Sequence, residues 1–227
     1  MNLNVTQELI KTLASGFLPL LAYSFSLTKR SIQSHLIVVC LLLSMSFDLA
    51  NLSLWMKKEN NLHFINLYDY IAIILEMGLM LSIVKFKRGF VILTVVLVLT
   101  YLLLHGIFNY RYGFSVMSTF LSFAFSLIIC VYTSIVSFKI LSGNLKKFNE
   151  SRHMLIPILG FFIFEASCLI PMCTVNLKLG HEEGRFLADL YNQVISVGSI
   201  LRNILFTAYF IVEYRLIKKS LRSRLSF

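Results

Sequence analysis

The apolar positions of this chain fall in long unbroken runs rather than in strict alternation. Seven runs, at about 8–27, 33–56, 63–85, 89–110, 115–140, 153–177 and 188–214, each approach the roughly 20 residues that carry an α-helix across a bilayer. Runs of this kind exclude a closed membrane barrel, whose strands alternate and last only about 10 residues. The breakers lie between them: KR at 29–30, KKEN at 57–60, KFKRG at 85–89, NYRYG at 109–113, SGNLKKFNESR at 142–152 and LKLGHEEGR at 177–185. Separators this short predict that successive helices are antiparallel neighbours. The pattern predicts one all-α domain over 1–227, a bundle of seven transmembrane helices. The first run is the weakest, since it contains Lys11, Ser15, Gly16 and Pro19.

Composition sharpens this picture. Charged residues make up 14% of the chain and hydrophobic ones 57%, against about 25% charged in a soluble domain. The net charge of +10 is concentrated in the separators and the C-terminal tail, so it predicts contact with anionic lipid, not nucleic acid. Fourteen Lys and Arg lie in the odd separators and the tail, against five in the even ones. The positive-inside rule then places the N-terminus outside and the C-terminus in the cytoplasm, in a multi-pass protein of the cytoplasmic (inner) membrane. No basic n-region precedes the first run, so no cleaved signal is expected. Cys40, Cys130, Cys168 and Cys173 lie inside apolar runs with no CxxC or Cys/His spacing. They predict buried small hydrophobes; no metal site and no cofactor is expected.

The informative residues are the polar ones within the runs. Charges there are costly and usually face the bundle interior. Asp189, Asn192, Ser196, Ser199 and Asn203 step by three and four and share one helical face, with Gln193 beside it and Arg202 at its edge. Asp69 and Glu76 share a face of the third run, and Ser44, Asp48 and Asn51 one of the second, with Trp55 further out. Tyr101, His105 and Asn109 follow i, i+4 steps in the fourth, and Glu165 sits mid-way along the sixth. Alternating direction places Glu76, Glu165 and Arg202 near the midplane. Asp48, Asp69, His105, Asn109, Asp189 and Asn192 fall in the outer half, and the inner half has almost no ionisable group before the loops. This predicts a polar cup open to the outside. Arg202 is its one permanent cation, expected to pair with Glu165 or Glu76 through the bidentate geometry Arg offers a carboxylate.

The ligand-binding set predicted from this pattern is Arg202, Glu165, Glu76, Asp69, Asp48, His105, Asn109, Asn192 and Asn203. A buried ion pair that only orients helices is the competing explanation for the charged members. Ser115, Ser118, Ser122, Ser126 and Thr133 read as a close-packing seam. Pro157 and Pro171 bracket the sixth run, where a bend is expected.

Tests for catalysis find little. Arg30 to His35 fits an R-x4-H spacing that nine Arg and five His nearly guarantee by chance. HEEGR at 181–185 lacks the spacing of a membrane protease motif, and no HExxH, GxSxG or phosphate loop occurs. A retinal-binding lysine is missing from the last run, where Arg202 holds the middle.

Three stretches, INLYDYIAIILEMGLML with Tyr68 and Glu76, FFIFEASCLIP, and LYNQVISVGSILRNILFTAYF, are similar to a loosely defined family of uncharacterised bacterial seven-helix integral membrane proteins. The resemblance implies the seven-helix fold and a supposed sensory role, with no established activity. The leading expectation is a small sensor whose bound ligand biases Arg202 between Glu165 and Glu76. Its expected partners are the bilayer, a small-molecule ligand, and a membrane or cytoplasmic signalling protein. A small-molecule or proton-coupled transporter is the alternative; a membrane enzyme, third, would need a nucleophile or metal that the pattern does not supply.

Overall fold

A computed structural model describes residues 3–25, 30–57, 62–84, 86–113, 119–142, 152–174 and 181–225. All seven runs form helices: α1 (Leu3–Ser24), α2 (Ile32–Lys57), α3 (Leu62–Ile83), α4 (Arg88–Tyr112), α5 (Thr119–Leu141), α6 (Leu155–Thr174) and α7 (His181–Leu225). No strand occurs among the described residues. Six of the seven are long and apolar enough to cross a membrane; α1 is not among them. A 3-10 turn, Arg152–Met154, leads into α6 and puts Pro157 in the first helical turn, where its missing N–H costs nothing. The last helix is longer than expected. With no proline between 181 and 225, it continues for 45 residues, about 67 Å, well beyond its apolar window of Gln193–Ser220.

Side-chain contacts fix the directions. Phe47 stacks on Tyr68 and Gln33 reaches Ser82 O, so α2 and α3 are antiparallel. Thr94 meets Tyr132, and Tyr101 meets Phe125, which makes α4 and α5 antiparallel. Arg202 packs on Phe164, and Phe161 on Phe206, giving the same relation for α6 and α7. Thr12–Ser196 and Ser15–Asn203 run in parallel register, so α1 and α7 point the same way. The chain thus begins at one end of the bundle and finishes at the other. Packing closes a ring, α1–α2–α3–α5–α6–α7, with α4 set against α3 and α5 from outside.

Burial is inverted relative to a soluble bundle. Ile92, Leu93, Val95, Val96, Leu99, Leu103, Leu104 and Ile107 of α4 are exposed, and its buried residues are Thr94, Tyr101, His105 and Asn109. Lipid gives apolar faces no reason to turn inward, so polar contacts and close packing hold such helices together. The same logic explains why α1 falls short on hydropathy. Thr12 and Ser15 are buried against α7, while Ile10, Phe17, Leu18 and Leu21 face outward.

Candidate functional site

Close approach of α6 and α7 builds the centre. A Cβ on Gly198 would lie 2.7 Å from Ser167 Cβ, and one on Gly160 would lie 3.2 Å from the Phe206 ring. At Gly198 only hydrogen fits without a shift of Ser167, and at Gly160 an added carbon would be tight against Phe206. Between them Arg202 is carried into the ring interior at 3% exposure. Its Nη2 donates to Ser44 Oγ on α2 at 3.0 Å, and its guanidinium carbon stands 4.2 Å from the Phe164 ring centroid. Its Nε has no hydrogen-bond partner.

The expected ion pair does not form: neither Glu76 nor Glu165 approaches Arg202 within salt-bridge distance. Ser44 and the Phe164 face are the contacts that the guanidinium makes. The two acids are nonetheless its electrostatic neighbours, and each other's. Glu76 is 2% exposed with Oε2 unpartnered. Glu165 is equally buried and interacts with the Ser126 side chain on α5. Asp48, half-buried on α2, also lies in the field of Arg202. Asn203, one residue on, points toward α1, where its Nδ2 donates to Ser15 Oγ at 2.8 Å, leaving Oδ1 without a partner.

A second group joins α3, α4 and α5. Ser122 Oγ donates to Asp69 Oδ2 at 3.0 Å, and His105 Nε2 lies 3.9 Å from the same oxygen. Asn109 Nδ2 donates to His105 Nδ1 at 3.0 Å and to Tyr70 OH at 3.4 Å. His105 Nε2 is buried without a hydrogen-bond partner, with Asp69 its acidic neighbour. The predicted i, i+4 face of α4 is therefore its docking face. Asp69 also reaches Glu76 and Glu165 electrostatically, so the two groups form one polar interior. Of the remaining predictions, Ser196 and Ser199 are buried and Gln193 is exposed. The side chains of Asn192, Asp189, Trp55 and Pro171, and residues Ser115 and Ser118, lie outside the described residues.

A further buried ionisable group lies inside the last apolar run, away from Asp69 and His105. Glu213 on α7 is buried and ion-paired with Arg30 of the KR separator; Nη1 to Oε2 is 2.6 Å. Ser34 Oγ (2.5 Å), Ser31 Oγ (3.1 Å) and Ser31 N (3.3 Å) donate to the other carboxylate oxygen. Arg30 Nη2 donates to the carbonyls of Ala22 and Tyr23, and the guanidinium packs on the Tyr23 and Phe210 rings. This network fastens the start of α2 to α7 at Glu213, eleven residues or about 16 Å from Arg202. A signal existed in the sequence: Glu213 lies inside the last apolar run and carries a cost that only a partner offsets.

No protein-family model, curated protein or solved structure matches the chain. Its own helices, six of them long and apolar enough to span, make it a multi-pass integral membrane protein.

Proposed function

We propose that this protein is a small membrane sensor whose ligand enters the polar interior from outside and binds at Arg202, between Glu76 and Glu165. One observation carries the reading. Arg202 is a buried cation that no carboxylate pairs directly, while two buried acids lie in its field. A ligand completes the missing contacts there and shifts α6 against α7 at their tight crossing. In this reading all seven helices cross a cytoplasmic membrane, with the N-terminus outside. The outward apolar face of α1 and the excess of Lys and Arg in the odd separators support it. Exposed Arg215, Lys218 and Lys219 then meet the anionic inner leaflet, and the output passes to a signalling partner.

The test is thermal unfolding in detergent of wild type, Arg202→Gln, Glu165→Gln and the double variant, with and without a panel of small carboxylate-bearing metabolites. A compound that stabilises wild type but not a folded Arg202→Gln supports the reading. If no compound acts, while each single variant is destabilised and the double recovers, the cluster is purely structural. A transporter is the second reading, favoured by the Arg30–Glu213 network that closes the end of the bundle away from Asp69 and His105. It predicts ligand accumulation in vesicles, which a sensor does not.

A further inference from the structure

Asp69 is 7% exposed and accepts a hydrogen bond from Ser122. Among the described residues its one ion-pair neighbour is His105, 1% exposed, whose unpartnered Nε2 lies 3.9 Å from Asp69 Oδ2. That gap exceeds a hydrogen bond by about 1 Å. On the other side of the ring Asn109 Nδ2 stands 3.0 Å from Nδ1, while Asn109 Oδ1 has no partner. A half-turn of the amide exchanges donor for acceptor, so Asn109 can serve Nδ1 either bare or protonated.

The pair has three protonation states. With no added proton, Asp69 is an anion beside a neutral ring. With two, the imidazolium is a cation beside a neutral acid. With one, the pair is neutral in sum, and the proton bonds to Asp69 Oδ2 or to His105 Nε2, each the other's partner. Burying an uncompensated charge costs several kcal/mol, so the apolar interior favours the state with one. The surroundings bring no cation to Asp69 in its place. Tyr70 and Tyr101 flank the His105 ring. Glu76 and Glu165 are acids in the field of Asp69, and Arg202 acts on those two. Cys168 of α6 also feels Asp69, Asp48 of α2 acts on Tyr68, and α5 presents the Ser122 hydroxyl.

Both members of the pair sit seven residues, about 10 Å, from the helix ends at Leu62 and Tyr112, and Asn109 lies one turn nearer that end. Acids and histidines set together inside spanning helices serve as proton relays. We propose that Asp69 and His105 form a proton-binding dyad. One proton enters from the Leu62–Tyr112 end, is shared between Oδ2 and Nε2, and returns to water there, with no other bond made or broken. The dyad stands apart from the Arg202 site, so either can fail without the other.

The experiment is a pH titration of the full chain in detergent by NMR, with isotope labels in the aspartate carboxyls and histidine rings, three and five positions respectively. One aspartate signal and one histidine signal should move together at a common midpoint. Asp69→Asn should remove the first and change the proton affinity of His105 at least tenfold. His105→Gln should do the same for Asp69, the coupling expected of groups that titrate as a pair. Should Asp69→Asn not fold, Asp48→Asn and Asp189→Asn assign the Asp69 signal by elimination, and His105→Gln decides alone. An Asp69 signal that stays fixed over the whole pH range of the folded chain overturns the proton site and leaves a docking contact for α4. An Asp69 midpoint unchanged in His105→Gln overturns the shared proton.

Discussion

Replacing Glu213 with Gln should cost about 3 kcal/mol of unfolding free energy. The residue accepts hydrogen bonds from Arg30, Ser34, Ser31 Oγ and Ser31 N, at 2.6, 2.5, 3.1 and 3.3 Å. The Arg30 side chain is fully excluded from solvent and that of Glu213 is 7% exposed. Breaking a buried pair by removing one partner typically costs about 3–5 kcal/mol. The lower end applies here, because Arg30 keeps two carbonyl acceptors and two aromatic faces. Arg30→Met should cost less, about 2 kcal/mol, since Glu213 retains four donors on its other oxygen and a hydrogen bond to a charged group is worth about 1.5–3 kcal/mol. The double variant should fall short of the summed loss by about 2 kcal/mol, within the range of directly coupled residues. Reversible unfolding in mixed micelles, followed by circular dichroism, measures all four states. Additivity within about 0.5 kcal/mol, the limit for independent sites, would refute a direct ion pair between Arg30 and Glu213.

Two further predictions address the helix crossings. Gly198→Val should destabilise by about 1–3 kcal/mol, the usual cost of overpacking, because even one added carbon meets the Ser167 side chain at 2.5–2.7 Å. The same unfolding measurement checks it, and a neutral result would mean that α6 and α7 are further apart than described. Replacing both His105 and Asn109 with Leu should loosen α4, with each lost interhelical bond worth about 0.6 kcal/mol in a membrane bundle. Hydrogen exchange should rise across Arg88–Tyr112 and stay unchanged in α6; equal protection throughout would mean that these side chains do not hold α4.

The helices were legible from the sequence because membrane-spanning segments declare themselves through local composition alone. Seven apolar runs became seven helices, six of them long and apolar enough to span, and the i, i+4 positions Tyr101, His105 and Asn109 became the buried face of α4 together with Thr94. Inward placement of Glu76, Glu165 and Arg202 followed from the same physics, since charges in an apolar run must turn away from lipid. Which groups those side chains would meet was not legible, because partners are set by rotation and spacing of helices distant in sequence. Arg202 takes Ser44 and Phe164 rather than an acid, because Gly160 and Gly198 draw α6 and α7 together and fix where its guanidinium ends. Arg30 reads as a loop charge in one dimension. Only when the fold brings it to Glu213, 183 positions away on α7, does it become half of a buried ion pair.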